Sequence, residues 1–126
     1  MPYDLRLDQT NRLLDLRYHG VVSVAQRLQA WEESAPLLEA SGFRRILIDL
    51  TAAIAATEPL QRTRDLVGRL THEPLLLASR TAFVAPPAHP ANHLFEVLAA
   101  AHHYPFARFA DRDAALAWLL SEEPPV

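Results

Sequence analysis

The chain has 126 residues, half of them hydrophobic and 21% charged, with a formal net charge of −3; this is the profile of one soluble domain with its own core, and residues 1–126 read as that single domain. All twelve basic residues are Arg, which removes Schiff-base chemistry and a P-loop lysine, and the absence of Cys removes disulfides, thiolate nucleophiles and Cys-ligated metals. No basic patch points to nucleic acid, no apolar run approaches the roughly 20 residues of a membrane span, and Met1-Pro2-Tyr3-Asp4 lacks a signal-peptide layout, so a cytoplasmic protein without nucleic-acid partners or stable membrane insertion is expected.

Tyr3, Leu5 and Leu7 alternate with Asp4, Arg6 and Asp8, and Leu14, Leu16 and Tyr18 alternate with Asp15 and Arg17. Period-two alternation predicts two strands with one wet face each, joined as an antiparallel hairpin by Gln9-Thr10-Asn11. Gly20 is read as breaking the second strand. Ser23 with Gln26 is a capping-box pair, so a helix starts near Val24. Val24, Leu28, Trp31, Ala35 and Leu38 form its apolar face, Pro36 predicts a kink or break, and Gly42 a left-handed cap. Trp31 on that stripe is a core residue or a ligand-stacking aromatic, the core reading being favoured.

Arg44-Arg45-Ile46-Leu47-Ile48-Asp49-Leu50-Thr51 is the stretch around which the chain is organised. Consecutive apolar side chains suit a strand buried on both faces, placed at the sheet centre. Residues 52–56 read as an unusually apolar loop. Thr57 as N-cap, Glu58 on the helix dipole and Pro59 in the first turn open the next helix, with Leu60, Val67 and Leu70 as its buried seam. Leu75-Leu76-Leu77 is a connector or a short extra turn. A strand over 80–85 follows, then a helix from His89 or Pro90 to His103 with Leu94, Val97, Leu98 and Ala101 inward. Residues 106–110 form the last strand, and Asp111 caps a last helix packed through Ala114, Ala117 and Leu120 with Leu116 and Trp118. The order is β-β-α-β-α-β-α-β-α: an α/β fold with a mixed sheet, an antiparallel first strand and β-α crossovers.

The spacing offers little catalytic chemistry. His89 and His93 are four apart, but Pro90 intervenes and no HExxH acid is near, so no metal site is expected; His102-His103 reads as complementing a helix C-terminus. Asp49 stands at the C-terminal end of the central strand, where open α/β sheets place their sites; it either meets a ligand or accepts backbone N–H bonds from the following loop. No nucleophile elbow, carboxylate pair or Gly-rich phosphate loop is present, and no cofactor is called for.

Leu16-Arg17-Tyr18-His19-Gly20, the long first helix, Ile46-Leu47-Ile48-Asp49-Leu50-Thr51, and Arg108-Phe109-Ala110-Asp111-Arg112-Asp113-Ala114-Ala115-Leu116-Ala117-Trp118-Leu119 together resemble the STAS-like family. The resemblance is to its SpoIIAA-like bacterial branch, related in fold to anti-sigma-factor antagonists and CRAL-TRIO lipid carriers. It covers nearly the whole chain and implies architecture more than activity. Phosphoswitched members carry an Asp-Ser-Ser-Gly type motif after the central strand; here Ile54-Ala55-Ala56-Thr57-Glu58-Pro59 has neither Ser nor Gly. Glu58 stands about where the acceptor would be, and Thr57 is the nearby hydroxyl.

The expectation is therefore a non-enzymatic regulatory or protein-interaction module, not phosphoswitched, binding a protein partner through Asp49, Thr51, Ile54, Thr57 and Glu58. The alternative is a carrier or sensor of a small apolar or lipid-like ligand, which needs a cavity of roughly 300 Å³ or more. An enzyme using Asp49 would need a His within hydrogen-bond reach of it. Self-association is expected through the helix containing Phe95, a homodimer with Phe95 central beside Ala99 and Ala100, unless Phe95 is buried by its own Pro86-Pro87 loop.

Overall fold

A computed structural model describes residues 2–85, 96, 97, 100, 101 and 106–121. In chain order the elements are β1 (Tyr3–Asp8), β2 (Leu13–Val22), α1 (Val24–Ser41), β3 (Arg45–Ala55), α2 (Leu60–Leu70), α3 (Pro74–Leu77), β4 (Arg80–Val84), β5 (Phe106–Phe109) and α4 (Arg112–Leu120). The strands form one five-stranded sheet in the order β1-β2-β3-β4-β5. β1 pairs antiparallel with β2 and every later neighbour pairs parallel, so the mixed sheet and the central place of β3 are as the sequence predicts. The hairpin turn is held by Asp8, whose carboxylate accepts from the Asn11 backbone N–H at 3.1 Å and from its side-chain amide at 2.9 Å.

The sheet carries helices on both faces because its strands alternate two apolar sets. Leu14, Leu16 and Tyr18 of β2, Ile46 of β3 and Phe83 of β4 share one cluster with Trp31 and Leu38 of α1 and with Leu66, Val67 and Leu70 of α2. Sequential strands that step in one direction across a sheet place their crossover helices on one face, as this cluster requires. Leu13, Leu47, Ala82 and Val84 point the other way and meet Ala115 and Leu119 of α4. Trp31 is a core residue, 9% exposed.

Helix α1 begins at the expected capping box: Ser23 Oγ accepts from Gln26 N at 3.2 Å and Gln26 Oε1 from Ser23 N at 2.8 Å. It ends at Gly42, whose φ of 76° lies in the left-handed region that favours glycine. Of the kink or break expected at Pro36, no break occurs: α1 runs through it to Ser41. Pro36 and Glu32 are both exposed, so the carbonyl that loses its intrahelical donor faces water.

Several expected boundaries are corrected. Gly20 does not break β2; it sits within the strand at φ 68°, and β2 continues to Val22. Residues 52–55 are not loop but the second half of β3, because β2 supplies them with a partner strand. Pro59, not Thr57, is the N-cap residue of α2, and no side chain caps that helix. Leu60 is 45% exposed and leaves the buried seam to Leu66, Val67 and Leu70. The packed stripe of α4 is Ala115 and Leu119, one residue off the expected Ala114, Ala117 and Leu120, all of which are exposed.

Asp111 caps α4 as predicted, accepting from Ala114 N at 2.8 Å. Between β4 and β5, Glu96, Val97, Ala100 and Ala101 are helical, but Val97 and Ala101 are exposed rather than inward. Phe95, on which the homodimer expectation rests, lies outside the described residues, as do Ala99, Leu94, Leu98 and His89, His93, His102 and His103. Among the described residues no helix is long and apolar enough to cross a membrane.

Candidate functional site

Pairing of β1 with β2 ends at Tyr3 opposite Tyr18, and pairing of β4 with β3 ends at Val84 opposite Asp49. Strands β2 and β3 continue together past both points, with His19 opposite Ala52, Val21 opposite Ile54 and Val22 opposite Ala55. The register shifts between Arg17 and His19: two steps along β2 match three along β3, so β3 takes up an extra residue. Beyond that bulge Val22 and Ala53 turn into the first core cluster. Their neighbours Val21 and Ile54 therefore face away from it, paired side by side and 59% and 60% exposed. The two form an exposed apolar cross-strand pair near the tip of a two-stranded arm.

The base of the arm is held by charge. Asp49 Oδ1 accepts from the Thr51 hydroxyl at 2.6 Å and from the Thr51 backbone N–H at 3.0 Å, while Arg112 reaches Oδ2 at 3.0 Å. Arg112 also donates to Asp15 Oδ2 at 2.8 Å, so one guanidinium joins β2, β3 and the first turn of α4. Arg6 and Arg17 approach the same Asp15 oxygen at 3.4 and 3.3 Å. Asp15 is 2% exposed, a buried acid where alternation predicted a wet face. Burial works against the charge on Asp49, but Thr51 and Arg112 outweigh it and hold its carboxyl below the usual carboxylate value. Asp49 thus accepts a backbone N–H two residues on, from Thr51 within β3 rather than from a loop after the strand.

The connector after β3 is fastened to the start of α1. Ala56 N donates to Val22 O at 3.0 Å. Glu58 Oε2 accepts the Val24 backbone N–H at 2.8 Å, and Glu58 Oε1 lies 3.6 Å from Arg62. Glu58 thus accepts from the N-terminus of α1 while standing directly before the N-cap of α2, and Thr57 is exposed. Glu58→Ala leaves the Val24 N–H without its acceptor and is expected to lower stability by about 1 kcal/mol, read from urea unfolding. Of the predicted site residues, Asp49 and Thr51 meet at the base, Ile54 stands on the arm and Thr57 and Glu58 lie in the connector. The sequence reading missed Val21, Asp15 and Arg112. Of these, Asp15 could have been suspected from its hairpin register opposite Arg6, whereas Arg112 is 97 positions away from Asp15.

Between the α1 side of the sheet and its helices lies a cavity of about 50 Å³, lined mainly by apolar residues such as Trp31, Ile48 and Phe83, with Arg27 and Ser34 as polar groups. That is well below the roughly 300 Å³ at which ligand pockets begin. Among the described residues, no group of three or more His, Asp or Glu side chains is placed to hold a metal ion.

No protein-family model matches the chain, and no curated protein matches its sequence. Solved structures do match in shape. A protein of the DUF3478 family with a SpoIIAA-like fold, from Shewanella loihica PV-4, superposes with a TM-score of 0.54 at 24% identity, over 93% of this chain and 91% of that one. An anti-sigma factor antagonist from Mycobacterium paratuberculosis gives a TM-score of 0.56 at 16% identity, over 94% of this chain and 95% of that one. At these identities the likeness speaks for architecture: this chain has the SpoIIAA-like fold, the fold of STAS-type domains.

Proposed function

We propose that the chain is a non-enzymatic regulatory module that binds a partner protein through its β2–β3 arm. The observation that carries this reading is the Val21–Ile54 pair, in register and more than half exposed on a strand pair that outruns both flanking strands. Around it stand His19 and Thr51, with Thr57 and Glu58 in the connector; His19, Thr51 and Thr57 are exposed. An apolar centre with a polar rim is the anatomy of a protein interface. The Asp49 carboxylate is engaged by Thr51 and Arg112, which favours a structural over a catalytic role for it. The match in shape to an anti-sigma factor antagonist supports a partner-binding role without naming the partner.

Val21→Asp/Ile54→Asp tests this reading. Both side chains are exposed, so the variant is expected to fold, with an unfolding midpoint lowered modestly because two carboxylates then face each other across the strand pair. Affinity capture from the native lysate is expected to recover a protein with the parent chain that the variant loses. Recovery of the same proteins by both, or of none by either, counts against the reading.

A further inference from the structure

We propose that the free edge of β1 pairs with β1 of a second copy of this chain, antiparallel and centred on Leu5, so that two five-stranded sheets join into one. β1 ends the sheet, with β2 as its one neighbour. Beside it, the His19 backbone N–H donates to Pro2 O at 2.8 Å. Facing residues of an antiparallel ladder alternate between pairs that exchange hydrogen bonds and pairs that do not. From that anchor and the register, Asp4, Arg6 and Asp8 bond to β2, while Tyr3, Leu5 and Leu7 turn their N–H and C=O groups outward. Among the described residues no hydrogen bond reaches these outward groups. Such a row of donors and acceptors is a template for another strand.

The sequence of the edge selects the occupant. In an antiparallel pair centred on Leu5, Leu5 faces Leu5 and Tyr3 faces Leu7, so outward groups meet outward groups throughout. Asp4 then faces Arg6 twice, once on each side of the two-fold axis. Centring on Asp4 or on Arg6 keeps the backbone match but sets like charges together: Asp4 against Asp4 in the first, Arg6 against Arg6 and Asp4 against Asp8 in the second. The alternating charges that guard this edge therefore leave one favourable self-pairing. Both charged side chains are accessible for it. Asp4 is 81% exposed, with half-exposed His19 at 3.6 Å. Arg6 is 68% exposed and approaches Asp15 Oδ2 at 3.4 Å, an oxygen that Arg112 already holds at 2.8 Å. On the other face of β1, Leu5 and Leu7 are only half-buried against the core cluster, and a neighbouring strand covers what they still expose.

The test is sedimentation velocity of the full chain across a concentration series, with circular dichroism confirming that each variant folds. The parent is expected to pass from monomer to dimer as concentration rises. Asp4→Arg sets base against base at both charged pairs and is expected to weaken the dimer at least about tenfold. Arg6→Asp sets acid against acid and is expected to do the same. An equimolar mixture of the two variants places every acid opposite a base and is expected to recover the dimer that neither forms alone. Ile54→Asp, on the arm, is expected to dimerise as the parent does. A parent that stays monomeric at the highest concentration, a dimer that Asp4→Arg leaves unchanged, or a mixture no tighter than its components overturns the proposal. So does a dimer lost with Ile54→Asp, which makes the arm the self-association surface. Should Arg6→Asp fail to fold, the comparison of the parent with Asp4→Arg decides.

Discussion

Replacing Arg112 with Met is expected to destabilise the protein by about 3–5 kcal/mol at neutral pH, a large share of the roughly 5–15 kcal/mol that folds a domain of this kind. The reason is not the worth of the ion pair itself. Asp15 and Asp49 have side chains only 2% and 11% exposed, and without Arg112 both buried carboxylates lose their closest counter-charge. Asp15 Oδ1 is already without a hydrogen-bond partner among the described residues, so the site has little reserve. Thr51 still serves Asp49, and exposed Arg6 and Arg17 still approach Asp15, which keeps the expected loss at this level rather than higher.

The pH dependence separates this effect from ordinary loss of packing. In the parent chain the Asp49 carboxyl titrates below its ordinary value of 3.8. A depressed carboxylate contributes stability that is present above the unfolded value and is lost as pH falls through the folded one. In Arg112→Met the Asp49 carboxyl loses the part of that support that Arg112 supplies. The gap between parent and variant is therefore expected to narrow as pH falls toward about 4 and below. Urea unfolding followed by circular dichroism at several pH values measures it. A gap that stays constant across that range contradicts the account of Arg112 as the counter-charge of two buried acids.

Phe83→Ala is the second large effect. Phe83 is 1% exposed, next to the end of β4, and meets Phe106 edge-to-face, with ring centroids 5.4 Å apart. It also borders the small cavity beneath α1, so truncation enlarges an existing void rather than letting neighbours close one. The expected loss is about 3–5 kcal/mol, with no dependence on pH. Urea unfolding measures this too. A loss below about 1 kcal/mol means that the helix layer collapses onto the sheet, and that the core is looser than its burial implies.

The fold was largely legible because each core signal is local. Alternation at Tyr3, Leu5 and Leu7, the Ser23–Gln26 box, the apolar run at Ile46-Leu47-Ile48 and the Asp111 cap each state their element within a few residues. The errors in β2 and β3 share one cause. Whether residues 52–55 are strand or loop depends on what β2 does at His19 to Val22, and nothing local in either stretch states that pairing. Gly20 read as a break because glycine is common in turns, yet within a strand a glycine also accommodates a bend. The candidate site was half legible for the same reason. Ile54 stood out as apolar residue in what read as a loop, but its register partner Val21 became a candidate only once the strands were aligned. Asp15 and Asp49 looked like separate acids until α4 brought Arg112 between them.

The central claim is that the arm tip touches another protein. The most direct measurement places the photocrosslinking residue p-benzoylphenylalanine at Ile54 in one version of the chain and at Glu39, an exposed position on α1, in another, with irradiation in the native cell. Ile54 is 60% exposed, so the substitution leaves the core intact. The account predicts a discrete protein adduct from position 54 that is absent from position 39. No adduct at position 54, or the same adducts at both positions, would contradict it.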